Sequence, residues 1–390
     1  MSAATKRENL YKTGTALERI VHVSYPTGHG RLVLRTEQDW NRDIKPIAVT
    51  DEGNTSSFRL RANQPFLYFK PCLVRGRDFR WSVGPNKLVL MAKSDERAFY
   101  PFFFGPDRGR FSRLIEFSSE ILGRVHRLRV YLPPGYDENT LASYAVAYMQ
   151  DGQNLFFPEE AFRGHWRIRE TSKTLRAMSA VEDFLIVGIY SGDRMHDYTY
   201  PGYEDYARSL AQEIVPETQR QLRIRSHRRY RTAWGSSLGG VVSFYTVWEH
   251  PEVFGTAICM SSTFSHKDNL IERVLSERVR DVAFYLDSGW PGDNYEVTAG
   301  MAMALVARGW RYGHNLLHLS FPHAEHDEKA WGLRLHLPLQ FINGAVARAS
   351  RIGAPELGNK AYKSHQKSRR LNRQNAKQQR TRRRAHRVRP

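Results

Sequence analysis

The sequence predicts an α/β protein: a mostly parallel sheet covered by helices on both faces, preceded by a small β-sandwich and followed by a disordered basic tail. Three observations carry this. Residues 17–105 hold short runs rich in Val, Ile, Leu, Phe and Tyr, cut by turn-prone pieces. Residues 112–346 alternate apolar strand-like runs with longer helix-like ones. Residues 358–390 contain almost no large aliphatic side chain.

In the first part, "RIVHVSYP", "GRLVLRTE", "SSFRLRA", "PFLYFKP" and "NKLVLMA" read as strands, with turns at "YPTGHG", "DEGNTS" and "VGPN". Branched and aromatic side chains suit a pleated, half-buried surface, and closely spaced turns fold such strands into a sandwich, immunoglobulin-like or carbohydrate-binding-like. Trp40 and Trp81 are expected in its core, with stacking on a sugar ring as the alternative. "ERAFYPFFFGPDRGR" then reads as a linker with an aromatic cluster. In the second part, strands are expected at "RVHRLRVYLPPGYD", "YAVAYMQDG", "DFLIVGIY", "YRTAWG", "TAICM", "VAFYLDSG" and "NLLHLSF". Helices are expected at "RIRETSKTLRAM", "YEDYARSLAQEIVPETQRQL", "GGVVSFYTVWEH", "EVTAGMAMALVARG" and "EKAWGLRLHLPLQFI". Several of the strands are apolar almost without a break, the mark of a sheet buried on both faces.

The net charge of +19 suggests nucleic-acid binding until it is located. Residues 360–390 hold 13 Lys or Arg and no Asp or Glu, which leaves +6 for residues 1–359. A tail so poor in apolar groups cannot order itself. A solubilising segment is its expected role, with weak, salt-dependent contact with nucleic acid or an anionic surface as the alternative, and with Tyr362 as its one aromatic residue it offers no base stacking. Cys72 and Cys259 lie far apart in apolar settings and read as buried thiols of a cytoplasmic protein. No apolar run is long enough for a membrane span, the N-terminal residues lack the apolar stretch of a secretory signal, and no cofactor or metal is expected.

Chemistry enters at "RTAWGSSLGG", residues 231–240. Gly-x-Ser-x-Gly arises by chance often enough, and small residues also let a helix cross a strand. Here, however, Ser237 falls between an expected strand and an expected helix, the setting of a nucleophile elbow. A serine needs a base. His323 and His326 follow the last expected strand, and loops at the C-terminal ends of parallel strands gather in space; His326, at the start of a helix-like segment, is the choice. Together with His314 and His318 they lack the carboxylate spacing of a metal site. The base in turn needs an orienting carboxylate, for which Asp287, Asp293 and Glu296 are candidates, and the chain order serine, acid, histidine is that of α/β-hydrolases. The backbone N–H groups of Gln153, in "YMQDGQNLFF", and of Leu238 are candidates for an oxyanion hole.

The motifs "YLPPGYD", "YMQDGQNLF", "GSSLGGVVSFYTVWEHPEVFG", "SGWPGDNYEVT" and "HDEKAWGLRLHLPLQFI" resemble, in order, those of the putative-esterase family of α/β-hydrolases. That family includes enterochelin esterases, feruloyl esterases, S-formylglutathione hydrolase and mycolyltransferases. The resemblance covers about residues 115–345. It implies Ser237 as nucleophile, His326 as base, Asp293 as acid, and Gln153 and Leu238 as oxyanion donors. It also implies Trp166, in "GHWRI", and Arg194, in "SGDRMHDYTYP", as residues near the substrate. Two departures stand out: Glu325 precedes His326 where glycine is common, and Asp293 lies four residues after Gly289 rather than three. The activity implied is hydrolysis of a small-molecule ester, an acidic one in the enterochelin-like case. Acyl transfer on the same fold, or binding of a glycan or anionic polymer without catalysis, are the alternatives.

Overall fold

Alternation with period two builds the first sheets. In the strand Thr55–Ala62 the side chains of Ser56, Phe58, Leu60 and Ala62 are buried, while Arg59 and Arg61 face out. The computed structural model describes residues 16–344 apart from 29, 92–97 and 163; the expected tail at 358–390 lies outside the described residues. Among the described residues, nine strands make two sheets: β1 (Leu17–Ser24), β2 (Arg31–Thr36), β3 (Asp39–Ile44), β4 (Ala48–Thr50), β5 (Thr55–Ala62), β6 (Phe66–Arg75), β7 (Asp78–Trp81), β8 (Lys87–Leu90) and β9 (Ala98–Phe99). One sheet has the order β4-β5-β1-β9; the other runs β3-β2-β6-β7, with β8 also on β6. Val21, Val23, Phe58 and Leu60 from the first sheet share a core with Leu32, Leu34, Leu67 and Phe69 from the second.

Both tryptophans expected in that core lie outside it. Trp81 is 39% exposed, on a strand at the sheet's edge where Phe79, two residues back, points to the same side. Trp40 meets it edge-on at 6.1 Å, and the Arg35 guanidinium lies 4.1 Å from the Phe79 ring centre. The core is filled instead by aliphatic side chains together with Tyr25, Phe58, Phe69 and Phe103.

The aromatic linker is pinned by one carboxylate. Glu138 accepts hydrogen bonds from the backbone N–H of Phe103 (2.6 Å), Phe104 (2.9 Å) and Gly105 (2.9 Å) and from the Tyr25 hydroxyl (3.0 Å). Beside it the buried Asn139 donates to the carbonyls of Ser24 (2.9 Å) and Pro101 (2.8 Å). Glu138→Ala is expected to cost about 2–3 kcal/mol, the scale of hydrogen bonds to a charged group. Urea denaturation checks this, and an unchanged midpoint would show the linker to be held by packing alone.

The second part forms one sheet from β10 (Arg110–Phe111), β11 (Ile115–Ser119), β12 (Arg124–Leu132), β13 (Ala145–Met149), β14 (Phe184–Ile189), β15 (Arg231–Ser236), β16 (Thr256–Met260), β17 (Ala283–Trp290) and β18 (Leu316–Pro322). Their order is β10-β12-β14-β13-β15-β16-β17-β18, with β11 also on β12. From β14 to β18 every neighbouring pair is parallel, and β12 joins β14 antiparallel. Alternate residues of the central strands feed two cores: Val146, Tyr148, Leu185 and Val187 on one face, Ala147, Met149, Ile186 and Trp234 on the other. This is the α/β-hydrolase architecture with a sandwich ahead of it.

The helices are α1 (Ile168–Ala177), α2 (Arg194–Asp197), α3 (Gly202–Ser209), α4 (Val215–Gln221), α5 (Leu238–Glu249), α6 (Leu270–Ser276), α7 (Tyr295–Ala307), α8 (Glu328–Arg334) and α9 (His336–Asn343). The single helix expected over residues 203–222 contains a π turn, Leu210–Ile214, between α3 and α4. It stands just before Pro216, whose missing N–H cannot close a regular ladder. Among the described residues, no helix is long and apolar enough to cross a membrane.

Candidate active site

The site grows from the junction of β15 and α5. Ser237 sits between them with φ 54° and ψ −126°, a conformation unusual for a residue with a side chain. Its N–H donates to the Met260 carbonyl on the neighbouring strand (2.8 Å), and its own carbonyl accepts from Gly240 N (3.1 Å) and Val241 N (3.2 Å). Gly235 makes the turn feasible, because a Cβ there would lie 2.3 Å from the Gly239 backbone. Helix, strand and glycine together aim the hydroxyl away from the sheet.

His326 lies on the loop between β18 and α8. Its Nε2 is 2.9 Å from Ser237 Oγ, and its Nδ1 is 2.6 Å from Asp293 Oδ1. Asp293 belongs to the loop between β17 and α7, so three C-terminal strand ends deliver the three side chains. The two departures from the family pattern have a local explanation. Where Glu325 replaces glycine, the turn into the histidine loop is made by His323, at φ 63°. His323 donates its N–H to Trp290 O (2.6 Å) and points into solvent. Asp293, one residue later than usual, folds back so that Oδ2 accepts from Gly289 N (2.6 Å). Gly289 is required there, since a Cβ would lie 2.0 Å from Ala324 O.

Asp293 has no exposed side-chain surface. Burial pushes its pKa up, but hydrogen bonds from His326, Ser261, Gly289 and Asn294 outweigh burial and hold it at about 2. Asp287 is buried behind it, 3.0 Å from Arg334 Nη2 and hydrogen-bonded by the Tyr285 hydroxyl (2.8 Å). There burial dominates and raises the pKa to about 6, against the pull of Arg334. Glu296 is exposed in the first turn of α7. Of the three acidic candidates, Asp293 is the one in contact with His326.

Gln153 stands in a single 3₁₀ turn, Gly152–Asn154, just after β13, and Leu238 is the first residue of α5. The N–H groups at the start of a helical turn have no acceptor within it. The Gln153 side chain fixes its own turn, donating to Ser191 Oγ (2.9 Å) and accepting from Ser191 N (3.2 Å). Arg194 lines the same cleft but is neutralised by Asp151, with Nε 2.9 Å from Oδ1 and Nη2 3.1 Å from Oδ2. Trp166 is buried beneath the cleft, between Trp234 and Trp331 at ring distances of 6.2 and 6.1 Å. The indole facing the cleft is that of Trp331, edge-on to His326 at 5.2 Å.

The cleft has a volume of about 930 Å³, and its walls include Leu114, Arg127, Phe162 and Tyr190. Arg127 and Ser261 belong to no motif quoted above, and Trp331 and Arg334, although inside "HDEKAWGLRLHLPLQFI", escape a reading of the sequence because they sit in a helix stretch that reads as scaffold. Among the described residues, no group of three His, Cys, Asp or Glu could hold a metal ion.

The model of a family described as putative esterase matches residues 119–340. An uncharacterized protein of Bacillus subtilis (strain 168), YjcH, is 28% identical over 190 residues, 47% of this chain and 75% of its own. A ferulic acid esterase superposes with a TM-score of 0.51 at 18% identity, over 60% of this chain and 98% of its own. An enterobactin esterase from Shigella flexneri, solved in the presence of 2,3-di-hydroxy-N-benzoyl-serine, superposes with a TM-score of 0.50 at 13% identity. That match covers 85% of this chain and 94% of the other. At these identities the structural likeness speaks for the fold, whereas the family match spans more than half of the chain. The protein belongs to the putative-esterase family and is a carboxylic ester hydrolase.

Proposed function

We propose that the protein is a serine esterase working through an acyl-enzyme on Ser237, with an acidic small-molecule ester, enterochelin-esterase-like, as its substrate. The observation that carries the mechanism is the unbroken line of contacts from Ser237 Oγ through His326 to Asp293. His326 Nε2 takes the hydroxyl proton as Ser237 attacks the ester carbonyl, and the carbonyl oxygen becomes an oxyanion held by the N–H groups of Gln153 and Leu238. Collapse of this intermediate breaks the ester C–O bond, and His326 gives the proton to the departing alcohol. Water then attacks the acyl-enzyme with His326 again as base, releasing the acid and regenerating Ser237. Asp293 stays ionised throughout and keeps the imidazole in the tautomer with Nδ1 protonated.

Support for an acidic substrate comes from Arg127. It lines the cleft, lies 5.8 Å from the Tyr190 ring centre, and has no carboxylate partner among the described residues. Arg194, tied to Asp151, offers less free charge. Cys72 and Cys259, both buried free thiols, suit a cytoplasmic setting. The charge of residues 360–390 supports weak contact with an anionic polymer.

A fluorophosphonate probe, followed by mass mapping, is expected to mark Ser237; no label on that residue would overturn the acyl-enzyme reading. Paired neutral and carboxylate-bearing p-nitrophenyl esters test the substrate class. Arg127→Ala is expected to raise KM several-fold for the anionic ester alone, and an equal effect on both would remove the charge argument.

A further inference from the structure

Behind the triad acid lies a hydroxyl with every hydrogen-bonding position in use. Ser261 follows β16, has no exposed surface, and holds φ 47° although it is not glycine. Its backbone is fixed on both sides: the N–H donates to Asp287 O (2.7 Å), and the carbonyl accepts from Asn294 Nδ2 (2.7 Å). Its Oγ has three partners: Asp293 Oδ2 at 2.5 Å, Trp331 Nε1 at 2.9 Å and Arg334 Nη2 at 2.7 Å.

The chemistry of those partners decides where the one hydroxyl proton goes. An indole N–H and a guanidinium N–H can only donate. Trp331 and Arg334 therefore occupy both lone pairs of Ser261, and the proton is left to point at Asp293. The two donors stand three residues apart on α8, on one helix face. The same Trp331 flanks the His326 ring, and the Arg334 guanidinium, buried beside Asp287, is 3.9 Å from Asp293 Oδ2.

We propose that Ser261 is a positioning residue for the triad: Trp331 and Arg334 force its single proton onto Asp293, so that helix α8 sets the rotation of the carboxylate that orients His326. On this arrangement each Asp293 oxygen has two donors. Oδ1 accepts from His326 Nδ1 and Asn294 N, and Oδ2 from Gly289 N and Ser261 Oγ. Without Ser261 the carboxylate keeps one donor on Oδ2 and can rotate, while Arg334 and Trp331 turn toward an acceptor that is gone. Asp287, the other acidic residue here, serves as the counter-ion that keeps Arg334 in place.

The inference rests on the triad reading above, and the test separates the two. Steady-state kinetics of Ser261→Ala on a p-nitrophenyl ester are expected to show kcat lowered about 10–100-fold, the worth of one hydrogen bond to a charged group, with KM unchanged. The imidazole Nδ1 proton shared with Asp293, visible far downfield in proton NMR, is expected to shift or vanish. Ser261→Cys keeps the volume but donates weakly, so it should fall between wild type and alanine; it also serves as the readout if the alanine variant fails to fold. His326→Gln runs alongside. If that variant keeps turnover, the triad reading falls and this proposal with it. If it loses turnover while Ser261→Ala keeps both kcat and the downfield proton, even with a lower Tm, Ser261 is merely structural and the proposal alone is overturned.

Discussion

Alanine at position 237 is expected to lower kcat by about 10⁵–10⁶, leaving only what an oxyanion hole and binding supply without a nucleophile. The loss should come without unfolding. The residue already carries a Cβ at its positive φ, so removing Oγ changes no backbone requirement, and the N–H and carbonyl bonds of Ser237 to β16 and α5 remain. Turnover of a p-nitrophenyl ester beside a thermal melt checks both halves. A folded variant with more than a few per cent of wild-type activity would mean that the hydroxyl 2.9 Å from His326 is not the attacking group.

The second large effect belongs to Asp293→Asn, expected to lower kcat about 10⁴-fold near neutral pH, because an amide turned to satisfy its neighbours favours the wrong imidazole tautomer. Asp287 cannot take over. Its oxygens are engaged by Arg334 and Tyr285, and it is Asp293 that His326 Nδ1 meets. Asp287→Asn should therefore show itself mainly in stability, since it leaves the buried Arg334 without its counter-charge, at a cost of about 3–5 kcal/mol. Reversal of the two phenotypes would exchange the roles of the two acids. The pH dependence of stability adds a signed check on Asp293. Its folded pKa, about 2, lies below the ordinary value of 3.8. The stability it contributes is thus fully present above pH 3.8 and is lost as pH falls through 2. Urea titrations of wild type and Asp293→Asn should converge over that acidic window, and a gap that widens there would contradict the hydrogen bonding seen around the carboxylate.

Much of this was legible because the chemistry imposes local sequence. Ser237 must sit in a glycine-flanked turn between strand and helix, and His326 must follow a strand that ends on the same side, so both announce themselves. Asp293 was harder, since any acid on that loop satisfies the chain order; its choice over Asp287 depended on the family resemblance. What a sequence does not carry is which partner a buried polar group meets. Ser261 reads as the end of an apolar strand and Arg334 as one more basic residue on a helix, yet they meet across a sequence separation of 73 residues. Trp166 illustrates the converse: its place in the chain suits a substrate contact, but its ring is buried between Trp234 and Trp331 while Trp331 takes the cleft face. In the sandwich, Trp40 and Trp81 follow from edge-strand geometry, which hydrophobicity alone does not report.

Helix α5 has a practical consequence. Its residues from Leu238 through Trp248 are buried without exception, so it has no solvent face and cannot dock before the sheet exists to receive it. The Ser237 dihedral angles require that docked arrangement on both sides. A phosphonate tag acquired at this serine therefore counts molecules whose central sheet is complete, one by one, during refolding. Compared with tryptophan fluorescence, which averages eight indoles in different surroundings, covalent capture at a single residue would give refolding yield as a headcount.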